Sequence, residues 1–590
     1  MFAELIVFLI ILFTVVALYR EFWHPVIVFL LSVSLLLFSG ILSPKDVLSG
    51  FSNEQIVDVV LLILISKVLQ STGVLSFFIS KILEENLGYK NFLARMIAFV
   101  SSISTVINNT PVVAMVLPYV NDWCRKKKIP PSKLLIPLSY ASIFGGMATL
   151  IGTSTNLVVN ALTVESGLKP FSFFDFSYVG IPAMFFGFLY LYFIGYKLLP
   201  ERPDIIESFL SRRKDYLVET VIKPNSPLVG KTIRQANLRN LEGLYLAEIV
   251  RRNKRIYPVS PSEVLQEEDI LIFVGDTRAV VNLIQNNYGL SLPKFCSLDS
   301  DYKELVEVVI SNNSSLINKK IRETNFRARF DAAVLAVHRN GERLKGKIGE
   351  IILKPGDLLL LIVGKDFWKK IEDITDFYIV SRLEKIPDER EFFRGKVLFL
   401  IFLFGILLSA IKIVPLFTAL IFILLLSVLF KITDYSRLKS KLDINFFLIA
   451  VLSLALGRAL VKTGLAETFA QGIGSLLGGL GLFGYILGIY LITNVLTEFV
   501  NNVAAASITF PIALASAGVA GVDPKYFILA VAYGASASFI TPIGYQTNLM
   551  VFAVGNYKFG DFLKVGLPLS FLMCILCTTI LTFLARKGGI

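Results

Sequence analysis

The chain has 590 residues, of which 54% are hydrophobic, 48 are Phe and only 17% are charged. That balance is far from the soluble norm and is the composition of a polytopic membrane protein. The net charge of +13 does not call for a nucleic-acid partner, because basic loops beside membrane spans account for much of it.

The opening MFAELIVFLIILFTVVALYR has neither a basic n-region nor a small-residue cleavage site, and more apolar sequence follows directly. It reads as a first span, not a cleaved signal. Further apolar runs predict spans at 25–42, 54–72, 133–160 and 177–199, which together with 2–18 give five in a membrane repeat over 1–200. The repeat over 393–590 predicts five more, near 396–411, 413–430, 444–462, 525–552 and 561–585. Four scattered cysteines, Cys124, Cys296, Cys574 and Cys577, form no disulfide scaffold, and the C-x-x-C pair reads as packing within an apolar helix.

Two stretches, 91–122 and 482–514, do not fit as ordinary spans. INNTPVVAMVLP at 107–118 and VNNVAAASITFP at 500–511 each set two asparagines inside an apolar run. The arm 111–122 reaches only ~18 Å at 1.5 Å per residue, against a hydrocarbon core of ~30 Å, so each stretch is expected to be a helical hairpin that enters and leaves on one side with its polar tip enclosed by protein. Thr72-Gly73 and Thr463-Gly464 end the third span of each half, and Gly-Thr-Ser-Thr-Asn at 152–156 matches Gly-Tyr-Gln-Thr-Asn at 544–548. Five crossings is an odd number, so the halves are expected to be inverted repeats, each with one re-entrant hairpin and one interrupted span, 133–160 or 525–552.

Between the halves lies a charged α+β insert. SPLVGKTIRQANLR at 226–239 matches SSLINKKIRETNFR at 314–327, which predicts two tandem modules over 205–290 and 291–390. Neither carries a nucleotide-binding G-x-G-x-x-G; Gly479-Leu-Gly481-Leu-Phe-Gly484 fits the pattern only within a membrane segment. Basic residues at 121–133 (Arg125, Lys126, Lys127, Lys128, Lys133) and 431–441 (Lys431, Arg437, Lys439, Lys441) fall on the insert's side, which places the insert in the cytoplasm and both termini outside.

Buried amides cost several kcal/mol unless paired, and the chain places them at both hairpin tips. Two related tips, each facing an interrupted span, describe a shared midplane site where helix N-termini meet an anion and free carbonyls meet a small cation. The lining is rich in amides and hydroxyls and almost free of fixed charge. This suits an ionised oxyanion held with sodium on hard oxygen ligands. Glu498, inside the second hairpin, either enters the transport cycle or hydrogen-bonds the hairpin frame, and Lys67 snorkels or pairs.

These residues resemble the divalent-anion:sodium symporters over nearly all of both membrane halves. That family carries Ser-Asn-Thr at each hairpin tip; here the positions read Asn108-Asn109-Thr110 and Asn501-Asn502-Val503. The resemblance implies two sodium sites, one from Ser104, Asn109 and the backbone at Asn108 and Gly152, the other from Thr497, Asn502 and the backbone at Asn501 and Gly544. It implies an anion site lined by Asn109, Thr110, Ser154, Thr155, Asn156, Asn502, Val503, Tyr545, Gln546, Thr547 and Asn548. Where dicarboxylate carriers have Gly-Ser/Thr-Pro-Pro-Asn, this chain has TSTN and YQTN, which is similar to a sulfate-transporting branch with tandem TrkA C-terminal (RCK-type) modules in its central loop. The expectation is a sodium-coupled sulfate symporter of the plasma (inner) membrane, a homodimer with elevator motion, no organic cofactor, and a possible regulatory ligand on the insert. A di- or tricarboxylate carrier is the alternative. An RCK-gated channel would need a T-V-G-Y-G filter, a sodium–proton antiporter acidic residues at the interrupted helices, and an enzyme a catalytic constellation; the sequence has none of these.

Overall fold

The computed structural model describes residues 2–20, 22–72, 74–84, 86–202, 217–224, 226–238, 244–251, 254–257, 259–275, 290–291, 305–311, 314–339, 342–344, 348–364, 366–371, 376–379, 389–434, 438–439 and 442–587. Gly73 of the Thr72-Gly73 match, Cys296, Arg437, Lys441 and parts of both expected insert modules lie outside the described residues.

The first half runs α1 (Phe2–Tyr19), α2 (Pro25–Phe38), α3 (Pro44–Phe51), α4 (Glu54–Ser71), α5 (Val74–Ile82), α6 (Tyr89–Ser104), α7 (Asn109–Lys127), α8 (Leu135–Met147), α9 (Ser154–Glu165) and α10 (Ser177–Tyr190), the last continuing through a π turn to Leu198. The second half runs α11 (Glu389–Ala410), α12 (Leu416–Leu429), α13 (Ile444–Thr463), α14 (Leu465–Leu477), α15 (Leu482–Thr497), α16 (Asn502–Ala520), α17 (Pro524–Ser536), α18 (Gln546–Val554) and α19 (Phe559–Lys587). Local chemistry sets several starts. Asn53 accepts from the N–H groups of Gln55 and Ile56, Asp443 from Phe446 N, and Asp523 from Lys525 N ahead of Pro524.

Six described helices are long and apolar enough to cross a membrane, and a seventh span results if α3 and α4, bent by 41°, are one. Two expected spans are shorter than predicted. The run 25–42 is helical only to Phe38, where Ser39 and a left-handed Gly40 (φ +74°) turn the chain, and 413–430 only from Leu416 to Leu429. The hairpin bounds also need correction. The arm after the first asparagine pair is not twelve residues: α7 has 19, with Pro118 accommodated inside it and Trp123 and Cys124 buried beyond it. Its partner α16 also has 19, around Pro511. Each reaches ~28 Å, so shortness no longer argues for re-entry. Polar Asn121 and the following charges misled the boundary; Asn121 is itself buried.

Non-helical segments separate α8 from α9 between Met147 and Ser154 and α17 from α18 between Ser536 and Gln546. One large core joins both halves through α6, α8, α9, α15, α17, α18 and α19, and a second joins α1 and α2 to α13 and α16. Cys574 and Cys577 are buried and unoxidised within α19. Among the described residues the insert holds two five-stranded antiparallel sheets. In the first, β1 (Leu217–Ile222), β2 (Leu244–Arg251), β3 (Lys254–Ile256), β4 (Ile270–Gly275) and β5 (Leu290–Ser291) lie in the order β3-β2-β4-β1-β5. In the second, β6 (Leu305–Ile310), β7 (Ala332–Arg339), β8 (Glu342–Arg343), β9 (Leu358–Val363) and β10 (Phe377–Ile379) lie in the order β10-β6-β9-β7-β8. The sheets share a buried clamp: Arg251 donates bidentately to Asp269 and once to Val264 O, as Arg339 does to Asp357 and Ile352 O. The Asp269 carboxylate raises the pKa of the Arg251 guanidinium further. The second sheet sits on the helices: Arg125 of α7 pairs with buried Glu307 of β6 at 2.9 Å, and Val309 and Leu358 enter the helical core.

Candidate functional site

Each interrupted span is clipped in the same way. In the first, Thr149 Oγ1 accepts from Gly152 N at 3.1 Å and donates to Thr105 O, while Asn156 Nδ2 donates back to Gly146 O (3.3 Å) and Thr149 O (2.8 Å), ten and seven residues earlier. In the second, Thr541 Oγ1 accepts from Gly544 N at 3.2 Å and donates to Glu498 O at 2.9 Å, while Asn548 Nδ2 donates to Ser538 O (2.8 Å) and Thr541 O (3.2 Å), again ten and seven residues earlier. A helix that stops frees carbonyls on one side and N–H groups on the other. These threonines and asparagines satisfy part of that set and fix the remainder in place.

Helices α7, α9, α16 and α18 begin at Asn109, Ser154, Asn502 and Gln546, directly after the breaks. Three of these N-termini are tied by one hydroxyl. Asn109 Nδ2 donates to Tyr545 OH at 2.6 Å, and Tyr545 OH lies 3.1 Å from Thr153 Oγ1. Beside it, Thr110 Oγ1 donates to Gln546 Oε1 at 3.1 Å. Deeper, Ser139 donates to Asn548 Oδ1 at 2.7 Å and stands 2.8 Å from Thr547 Oγ1. The fourth helix, α16, packs against α9.

Two oxygen-rich cradles flank these contacts. In the first, Ser104 Oγ and Asn109 Oδ1 are buried with no hydrogen-bond partner. A Cβ on Gly152 would stand 2.8 Å from both Ser104 O and Gly146 O, so the absent side chain is what lets the carbonyls converge. In the second, the single proton of Thr497 Oγ1 faces two acceptors, Asn502 Oδ1 at 2.9 Å and Ala535 O at 2.8 Å. A Cβ on Gly544 would stand 2.6 Å from Thr497 O and 2.1 Å from Ser538 Oγ. An excess of neutral oxygens over protons is the donor set a hard monovalent cation requires, and among the described residues no group of three His, Cys, Asp or Glu offers a softer metal site.

The other predicted residues divide. Asn108, Thr110, Ser154, Asn501 and Gln546 remain partly or fully exposed at the break, Asn501 also capping α16 through Ala504 N at 2.9 Å. Thr155 and Val503 are buried, and Asn156, Thr547 and Asn548 are committed to bonds within the frame. Sequence reasoning missed Ser139, Thr149, Thr153 and Thr541. Thr149 and Thr541 precede matched asparagines by seven residues in both halves, a spacing that could have marked them; a serine in mid-helix such as Ser139 gives no comparable signal. Glu498 is hydrogen-bonded to the second break: its carboxylate accepts from the N–H groups of Phe539, Ile540 and Thr541 at 3.0, 2.9 and 2.8 Å and lies 3.4 Å from Ser538 Oγ.

The sequence matches the citrate transporter family, CitMHS, over residues 7–532. A Chlamydomonas reinhardtii protein whose name assigns it to the sulfur deprivation response is 33% identical, covering 93% of this chain and 96% of its own. An uncharacterized transporter of Synechocystis sp. is 30% identical over 94% of this chain and 92% of its own. Sodium/sulfate cotransporter 2 of C. reinhardtii is 24% identical over 91% and 84%. The chain belongs to the CitMHS citrate transporter family and is a multi-pass membrane transporter, not an enzyme.

Proposed function

We propose that the protein is a sodium-coupled symporter that imports a small divalent oxyanion, sulfate foremost, by elevator-type alternating access. The observation that carries this reading is the Tyr545 hydroxyl tying the N-termini of α7, α9 and α18 together, because N–H groups and partial positive charge then converge where the exposed lining is Thr110, Ser154 and Gln546. Neutral donors suit an ion that stays fully charged, and the two oxygen cradles suit sodium as co-substrate. The names of the relatives in sulfur deprivation and sodium/sulfate cotransport support sulfate. The matching hydrogen-bond spacings of the two breaks support related halves, which we read as inverted repeats spanning 1–200 and 393–590, and the twin Arg–Asp clamps support two tandem TrkA-C-like modules in a cytoplasmic insert.

The test is uptake of labelled sulfate into proteoliposomes with and without an inward sodium gradient, against succinate, citrate and phosphate as competitors. Sodium-dependent uptake that unlabelled sulfate suppresses best is the expected result. The family's name favours citrate as the second reading, and stronger competition by citrate or succinate than by sulfate would establish it instead.

A further inference from the structure

Glu498 is 5% exposed, and no Lys or Arg among the described residues reaches its carboxylate. A buried carboxylate with no cationic partner is costly even when hydrogen-bonded, so its environment is incomplete until positive charge arrives. Its backbone borders the second cradle, and its carboxylate holds the adjoining segment of the break. Glu498 follows Thr497, its Cα would stand 3.2 Å from a Cβ on Gly544, and the amides it grips belong to the segment whose Ser538 and Thr541 carbonyls Asn548 holds. The first break has no such charge. There, the residue whose carbonyl accepts from the clip threonine is Thr105, the counterpart of Glu498, and it is neutral.

We propose that Glu498 is the fixed counter-charge of the second cation cradle, which makes the cradle of Thr497, Asn502 and Gly544 the tighter of two unequal sites. This rests on the sodium coupling argued above. A full unit charge within one small, water-poor cluster is worth on the order of tenfold or more in cation affinity. The second cradle therefore fills first, and its occupancy neutralises the carboxylate before the first cradle and the anion are engaged.

The experiment compares Glu498→Gln with Glu498→Asp. Gln keeps the length and one acceptor oxygen, enough for the Phe539 and Ile540 amides, but removes the charge and the acceptor facing Thr541 N; Asp keeps the charge but shortens the reach to the three amides. Sodium dependence is read twice, from sulfate uptake and from sodium-induced thermal stabilisation of the detergent-solubilised protein. The expected result is a rise of roughly tenfold or more in half-saturating sodium for Gln, with Asp closer to wild type in both readouts. The reverse order, Gln milder than Asp, or equal half-saturation in all three proteins, would overturn the proposal and leave a structural clamp. If the Gln variant yields no monodisperse protein, Thr497→Val and Ser104→Ala decide: the first must raise half-saturating sodium more than the second, and an equal or opposite ranking refutes the unequal sites. Wild-type uptake indifferent to sodium would instead refute the coupling itself.

Discussion

Replacing Tyr545 by Phe removes one oxygen and leaves the ring's packing intact. The loss strands two buried groups: the Asn109 amide, whose Nδ2 donates to the hydroxyl at 2.6 Å, and Thr153 Oγ1 at 3.1 Å. Asn109 is 1% exposed and its Oδ1 already has no partner, so water does not replace the bond. A buried donor left unsatisfied costs about 1–3 kcal/mol. Because these bonds hold three helix N-termini in register, the cost falls on the assembled anion site, and at 1.4 kcal/mol per tenfold it amounts to roughly a 5- to 140-fold rise in half-saturating anion. Uptake by Tyr545→Phe, Asn109→Ala and the double variant, with thermal stability measured in parallel, closes a double-mutant cycle. The single effects should fail to add, with a coupling of about 1 kcal/mol. Strict additivity, or an unchanged half-saturation in Tyr545→Phe, would show that the hydroxyl does not organise the site.

Gly544→Ala brings a methyl to 2.1 Å from Ser538 Oγ and 2.6 Å from Thr497 O; overpacking of this kind costs typically 1–3 kcal/mol, and transport should fall steeply while the protein still assembles, as judged by gel filtration and sodium-dependent uptake. Ser139→Ala strips Asn548 Oδ1 of its donor at 2.7 Å and should lower the unfolding temperature by several degrees with a smaller effect on sodium dependence, measured by thermal denaturation in detergent. Gly356, at φ +78°, turns the second sheet against the helices, where a Cβ would stand 2.6 Å from Leu549 Cδ1; Gly356→Glu should loosen the insert and speed its cleavage in limited proteolysis. The matched turn of the first sheet carries Glu268 at φ +63°, exposed, so the backbone tolerates that side chain and unchanged proteolysis would refute the contact.

What the sequence made legible was periodicity and composition. Apolar runs gave α1, α10, α13 and α19 to within two residues, since a lipid-facing helix advertises itself over its whole length, whereas α11 starts at Glu389, before the expected 396, because its first turns are charged. The asparagine pairs and the Gly-x-x-Thr-Asn phrases located both breaks because buried amides in an oily run are rare enough to demand a partner. The length of α7 was not legible: polar residues at its C-terminal end look like a loop until Asn121, Trp123 and Cys124 are seen buried, with Trp123 stacked on Phe92 of α6. Nor was the partner of each amide, since Asn109 and Tyr545 lie 436 residues apart and nothing local announces a bond across that distance.

At the breaks themselves the polar contacts between the halves gather on the side of the first tip, and that bears on how such a site could move. Asn109 and Thr110 of the first half bind Tyr545 and Gln546 of the second, and Ser139 binds Thr547 and Asn548. On the opposite side, α16 meets α9 through packing, and the polar groups of the second tip turn inward, Asn502 to Thr497 and Asn501 to its own helix. Directional bonds hold a single geometry, whereas apolar packing tolerates small slides at low cost. The second sheet reinforces the bonded side, joining α7 through Arg125 and Glu307 and meeting α18 at Leu549. The bonded elements α7, α8 and α18 thus form one unit at the breaks, whereas the far end of α9 is tied to the second half by Glu165 and Arg458 of α13, so low-cost adjustment is confined to the stretch of the α9–α16 seam beside the second cradle.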